Sequence, residues 1–178
     1  KHPFLFILGG MKFSTKIPLI KKYLKSADQI FVGGALANSL MLAQGLRVGQ
    51  SVADLPASGR GGDGLKTLAR HKKIILPADL VVESPRGVFV RLKDKIEKDD
   101  VVMDVGPETV RELAGEIEEA KFILWNGPLG NFEKGFNRAT IDVAKAVAHS
   151  SAFSIVGGGD TVSAISALNL NKKFGFVS

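Results

Sequence analysis

Cysteine is absent from these 178 residues, which excludes disulfides and thiolate metal sites. The three histidines, His2, His71 and His149, have no metal-ligand spacing and take no role here. No apolar run is long enough to cross a membrane. The start, Lys1-His2-Pro3-Phe4, passes straight into a strand-like run, so no signal peptide is expected. A cytoplasmic location is the simplest reading. There is one tryptophan and one tyrosine, the lysines are spread out, and no nucleic-acid motif occurs. The formal charge of +6 therefore points to anionic small molecules rather than nucleic acid. Two nucleotide templates are missing as well. There is no Gly-x-x-x-x-Gly-Lys-Ser/Thr loop. No Gly-x-Gly-x-x-Gly follows the first apolar run, and the second ends in glycine rather than an acid. That counts against a dinucleotide dehydrogenase, the rival enzyme class.

What the chain does have is an apolar run that breaks into glycine and then a helix-like stretch, four times over. The breaks are Ile7-Leu8-Gly9-Gly10, Phe31-Val32-Gly33-Gly34, Leu124-Trp125-Asn126-Gly127 and Ile155-Val156-Gly157-Gly158-Gly159-Asp160. Parallel sheets present ligands at the carboxyl ends of their strands in this way. Glycine permits close approach, and helix N-termini attract anions. A nucleotide or phosphate binder is the first reading.

The length suits one domain, residues 1–178. Buried strands are predicted at Phe4–Leu8, Gln29–Val32, Lys73–Leu76, Phe122–Trp125, Phe153–Val156 and Phe174–Val177. Helices are predicted at Lys16–Lys25, Ala35–Gln44, Leu65–His71, Pro107–Glu119, Ala139–His149 and Thr161–Leu168. Pro18 is tolerable only in a first turn, and Gly45 reads as a helix stop. Residues 49–63 read as loop. Asp79–Glu83 and Val88–Leu92, around Ser84-Pro85-Arg86-Gly87, give a hairpin signal. With Val101–Val105 they form a small antiparallel excursion. The fold class is α/β: a doubly wound, Rossmann-like six-stranded parallel sheet with helices on both faces. The methionines and phenylalanines are most simply core.

Each candidate site has an ordinary reading beside the functional one. Lys12 and Lys16 stand four apart where a helix begins, so a helical turn puts both charges on one side, at the mouth of the sheet. Lysine there serves as a compact charge for phosphate, or both are solvated surface lysines. Gly157-Gly158-Gly159-Asp160-Thr161 is the strongest local signal. Asp160 could hold Mg²⁺ or cap its own helix. Thr161 and the glycine amides could hold phosphate oxygens. Asn126 offers an amide to phosphate and Glu133 a carboxylate to a ribose diol, or the segment is a rigid turn with a solvated acid. Gly33-Gly34-Ala35 could let a flat base lie on backbone, or is a tight turn. Arg60-Gly61-Gly62-Asp63-Gly64 looks like a phosphate loop, but it follows no strand and reads as flexible loop.

Taken in order, these segments resemble phosphoglycerate kinase. The matching runs are Leu8-Gly9-Gly10-Met11-Lys12-Phe13-Ser14-Thr15-Lys16-Ile17, Val32-Gly33-Gly34-Ala35-Leu36-Ala37-Asn38, Leu76-Pro77-Ala78-Asp79, Asp104-Val105-Gly106-Pro107-Glu108-Thr109, Trp125-Asn126-Gly127-Pro128-Leu129-Gly130-Asn131-Phe132-Glu133 and Gly157-Gly158-Gly159-Asp160-Thr161. They cover the chain nearly end to end. The resemblance is to the carboxyl-terminal, nucleotide-binding half of that enzyme. Where the family often carries a third glycine, Val32 stands.

The resemblance implies phosphoryl transfer between 1,3-bisphosphoglycerate and Mg-ADP, giving 3-phosphoglycerate and ATP in glycolysis, with Mg²⁺ and ATP or ADP as cofactors. On it, Lys16 contacts nucleotide phosphates and Lys12 the phosphoryl group in flight. Gly9, Gly10, Gly33 and Gly34 line the adenine side, and Asn126 and Pro128 border the nucleotide. Glu133 takes the ribose hydroxyls, Asp160 the metal, and Gly158, Gly159 and Thr161 the phosphates. The amino-terminal domain that grips phosphoglycerate, and a glycine-rich turn that the family carries beyond the Ser178 position, are expected to be absent from this stretch. It is therefore expected to bind nucleotide without turning over, and to be a monomer. A non-catalytic nucleotide-binding module of the same fold is the alternative.

Overall fold

A five-residue apolar run buried on both faces has to be an inner strand. Phe4–Leu8, here β1, is such a run. The structure is a computed structural model; it describes residues 1–11, 13–54 and 60–178, with the side chains of residues 13, 14 and 60–63 set aside. The order along the chain is β1, α1 (Phe13–Tyr23), β2 (Gln29–Val32), α2 (Gly34–Ala43), α3 (Arg60–Ala69) and β3 (Ile74–Ile75). Three strands of an excursion follow: β4 (Asp79–Ser84), β5 (Gly87–Leu92) and β6 (Val101–Val105). Then come α4 (Pro107–Glu119), β7 (Phe122–Asn126), α5 (Arg138–His149), β8 (Phe153–Gly157), α6 (Gly159–Ala167) and β9 (Phe176–Val177).

The main sheet has six strands in the order β3-β2-β1-β7-β8-β9, every neighbouring pair parallel. Alternate residues of β1 divide the core in two. Phe4, Phe6 and Leu8 pack with Ile20 of α1, Leu36 and Leu40 of α2, and Leu65 and Leu68 of α3. Leu5 and Ile7 pack with Leu113 and Ile117 of α4, Val143 and Val147 of α5, and Ile165 of α6. Helices therefore cover both faces, which is the predicted doubly wound architecture. From β1 the chain crosses to β2; from β7 it crosses to β8 on the other side. The order reverses between β1 and β7, and a crevice opens at their carboxyl ends. The excursion is a separate antiparallel sheet, β5-β4-β6. A third apolar cluster of Met41, Val48, Leu80, Val82 and Ile96 joins it to α2.

Several boundaries differ from the sequence reading. The first helix begins at Phe13, so Pro18 falls in its second turn; packing of Ile17 and Ile20 on the sheet outweighs the missing donor. The third helix begins at Arg60 rather than Leu65, so the Arg60–Gly64 run has helical backbone. Its glycines hid that, because propensity is only a weak prior. The ninth strand is Phe176–Val177 alone, since Asn171–Lys173 forms a 3₁₀ turn. Gly45 does stop α2. Its φ is +89°, its amide donates to Leu42 O at 2.9 Å, and the Leu46 amide donates to Met41 O at 3.0 Å, the paired bonds of a left-handed helix end. Met11, Phe89, Phe153 and Phe176 are exposed rather than core. Met11 sits on the turn after β1, and Phe89 on the edge strand of the small sheet.

Candidate nucleotide site

The crevice at the β1/β7 switch point is a cleft of about 640 Å³. Turns after four parallel strands feed it, and the small sheet closes its far wall. Of the thirteen residues expected at the site, nine line it: Gly10, Lys16, Gly34, Asn126, Pro128, Glu133, Gly158, Gly159 and Asp160. Lys12 lies outside the described residues. Gly9, Gly33 and Thr161 do not line the cleft.

Backbone bonds between the turns hold it in shape. Gly9 N–H donates to Asn126 O at 2.9 Å, and Gly10 N–H to Pro128 O at 2.9 Å. Gly33 N–H donates to Leu8 O at 2.8 Å. Gly9 and Gly33 thus tie the strand ends and turns together and do not line the cleft. Lys16 Nζ, on α1, donates to Asn126 Oδ1. The Asn126 amide nitrogen lies beside Gly157 and Gly158, 3.4 and 3.8 Å from where a Cβ would stand on each. Asn126 therefore stands between the lysine and the fourth glycine turn, Gly157–Gly159. Trp125 is fully buried in the core below, and its indole N–H donates to Gly127 O at 2.9 Å.

Asp160 is not the cap of α6. The N-cap is Gly158, at φ +98°, and Asp160 lies exposed in the first turn. Val162 N–H donates to Gly158 O at 2.9 Å and opens the helix. The amides of 159–161 thus have no carbonyl ahead of them within the helix. This end carries the partial positive charge of the helix. Thr161 Oγ1 is buried without a hydrogen-bond partner. No cluster of three or more carboxylate or histidine ligands occurs among the described residues. A Mg²⁺ held by one carboxylate and several phosphate oxygens fits this donor set; a dedicated protein cage does not.

Sequence reasoning missed the far wall. Leu80 of β4 and Val101, Val102, Met103 and Val105 of β6 give an apolar surface. Strand periodicity alone cannot tell such a wall from ordinary core. Asp104 stands among them, 3% exposed. Burial pushes its carboxyl up to about 7, with Asp142 adding to the rise and the amides of Ala139 and Val105 opposing it. Lys134, beside Glu133, also lines the cleft and pairs with Glu83 at 4.0 Å.

A family model described as Phosphoglycerate kinase matches residues 1–178. The chain is 39% identical over 180 residues to the phosphoglycerate kinase of Baumannia cicadellinicola subsp. Homalodisca coagulata, across 99% of this chain and 46% of that protein. The phosphoglycerate kinase structure from Coxiella burnetii superposes with a TM-score of 0.89 at 36% identity, covering 100% of this chain and 48% of that one. The Pyrococcus horikoshii OT3 enzyme gives 0.84 at 26%, covering 100% and 47%. The chain spans about half the length of the curated relatives it matches. With a family model matched from its first residue to its last, it belongs to the phosphoglycerate kinase family.

Proposed function

We propose that residues 1–178 are the Mg-nucleotide domain of a phosphoglycerate kinase. The reaction is transfer of the acyl phosphate of 1,3-bisphosphoglycerate to ADP. A β-phosphate oxygen of ADP attacks phosphorus, the acyl O–P bond breaks, and the carboxylate of 3-phosphoglycerate leaves. Such a transfer needs positioning and charge neutralisation more than covalent help. The observation that carries this reading is the single cleft in which Lys16, Asn126, Glu133, the α6 N-terminus and an apolar wall all meet.

In this reading the base lies against Leu80, Val102, Met103 and Val105, with Gly34 and Pro128 bordering the nucleotide. Glu133 accepts from the ribose hydroxyls. Lys16 and the amides at Gly158 and Gly159 hold phosphate oxygens, and Asp160 would hold Mg²⁺ beside them. The metal neutralises phosphate charge when bound. Lys12 is assigned to the transferring phosphoryl group by its place in the motif. The phosphoglycerate side is contributed from outside these residues, so the isolated chain binds nucleotide without turnover.

Titration of Mg-ADP, followed by calorimetry and by Trp125 fluorescence, tests it. Saturable binding, competed by ATP and weakened by Lys16→Ala, is expected. No binding by folded protein overturns the reading. A coupled assay with robust turnover by the chain alone overturns the division of labour.

A further inference from the structure

We propose that Asp104 is a positioning residue for the cleft, fixing the loop that carries Pro128 and Glu133 against the small sheet. The proposal rests on the nucleotide reading above. Asp104 sits at the irregular step of the β4/β6 ladder, opposite Val81, where β6 meets that loop and α5. Its Oδ2 accepts from Ala139 N–H at 3.2 Å, in the first turn of α5. Its Oδ1 accepts from Val105 N–H at 2.9 Å. Gly130 presses on the same carboxyl: a Cβ there would stand 2.5 Å from both Cγ and Oδ1. The neighbouring Met103 carbonyl accepts from Asn131 N–H at 2.7 Å. From the other side, Leu129 N–H donates to Thr140 Oγ1 at 3.0 Å. The loop is thus bonded at residues 129 and 131, and Gly130 between them packs directly on the Asp104 carboxyl.

A carboxylate on a helix N-terminus is favoured by the helix charge. An uncharged carboxyl keeps fewer acceptor sites and loses that attraction. The hold on α5, and through Thr140 and the Gly130 packing on the loop, therefore depends on the ionised form, and with a carboxyl titrating near neutrality that form is not fully populated at pH 7. The charged groups on the surrounding elements are few. On α5, Asp142 and Arg138 pair at 2.7 Å. On the loop and β4, Lys134 faces Glu83, and Glu133 is exposed. Asp79 is engaged by the amides of α4. Only Asp142 adds noticeably to the rise at Asp104.

The test compares Mg-ADP affinity of the wild-type chain and Asp104→Asn from pH 5.5 to 8.5. The ratio of the two is the readout, because titration of the nucleotide itself cancels. The wild type is expected to match the variant at the acid end and to bind about tenfold tighter at the alkaline end, the loss typical of removing outer-shell support. The midpoint should fall near neutrality. Asp142→Asn in the wild-type background should move that midpoint to lower pH. A ratio that stays flat overturns the proposal. Should Asp104→Asn fail to fold, the affinity ratio of Asp142→Asn to wild type replaces it: tighter binding by Asp142→Asn around neutrality, with equal binding at both ends of the range, is expected, and a flat ratio overturns the proposal. A wild-type chain that binds no Mg-ADP overturns the nucleotide reading and this proposal together, an outcome distinct from wild type and variant binding alike.

Discussion

Gly9 and Pro128 touch so closely that a Cβ on Gly9 would lie 2.1 Å from the Pro128 carbonyl oxygen. The contact is backbone on backbone, between the turns after β1 and β7, and no rotamer change relieves it. Gly127 meets Gly9 in the same way, at 2.5 Å, and Gly34 meets the Gly10 carbonyl at 2.6 Å. The glycines after the strands thus serve first to let the turns meet. Gly159 is different, since a Cβ there meets nothing within 4 Å.

Gly9→Ala is therefore expected to cost at least about 2 kcal/mol, within the range for overpacking a close-packed site. Gly159→Ala should be neutral or slightly stabilising, because it restricts the unfolded chain without a clash. Urea unfolding of both variants checks the pair. Equal stabilities would mean that the turn contact has slack.

A second prediction concerns a helix capped from a distance. The N-cap of α4 is Gly106, which has no side chain to offer. Asp79, on β4, supplies the acceptors instead. Its Oδ1 takes Thr109 N–H at 2.8 Å and its Oδ2 takes Glu108 N–H at 3.1 Å. A Cβ on Gly106 would stand 2.2 Å from the Asp79 Cγ. Asp79→Ala strips a buried, charged cap and is expected to cost about 3 kcal/mol. Asp79→Asn should cost less, because it keeps one acceptor. A loss under about 1 kcal/mol for the alanine variant, by urea unfolding, would show that water replaces the carboxylate.

The strands of the main sheet were readable because their runs are short, apolar and bounded by glycine. Phe4–Leu8 and Gln29–Val32 fall where the pattern puts them. Helix starts were less readable where glycine or proline sits inside the helix, as at Pro18 and Gly61-Gly62. The strand-end residues of the cleft could be read from local turn chemistry. The far wall could not, because Leu80, Met103 and Asp104 reach the cleft only through long-range pairing of β4 with β6. Asp79 as a cap for α4 is hidden for the same reason: its partners are 29 and 30 residues away.

Asp104 also predicts how stability varies with pH. Its carboxyl rises from 3.8 in the unfolded chain to about 7 when folded. A raised value means that the folded state holds the proton more tightly. The stabilisation is full below about pH 4 and is lost as pH climbs through about 7. Three units correspond to roughly 4 kcal/mol. Asp104→Asn should remove that slope, so the variant gains on the wild type steadily between pH 4 and 8. Thermal unfolding across this range checks it; parallel curves would mean that the carboxyl stays ionised throughout. The ionised form that grips the loop is then the costlier one for the fold, so site geometry is held at the expense of stability.

Asp160 separates a metal role from a structural one. It is exposed, it lies in the first turn of α6, and the cap is Gly158. Removing it should cost the fold only the helix-charge attraction, about 0.3–1 kcal/mol. Its effect on nucleotide binding should be selective. Asp160→Ala should weaken Mg-ADP and leave metal-free ADP nearly unchanged. Lys16→Ala should weaken both by about 10- to 100-fold, since a charge-assisted contact to phosphate contributes roughly 1.5–3 kcal/mol with or without metal. Calorimetry of the two variants, with Mg²⁺ and with a chelator, distinguishes the roles. If Asp160→Ala lowers both affinities equally, the carboxylate shapes the turn and the metal is held by phosphate alone. If Lys16→Ala changes neither, the Lys16–Asn126 bond is an internal brace of the cleft, and another cation meets the phosphates.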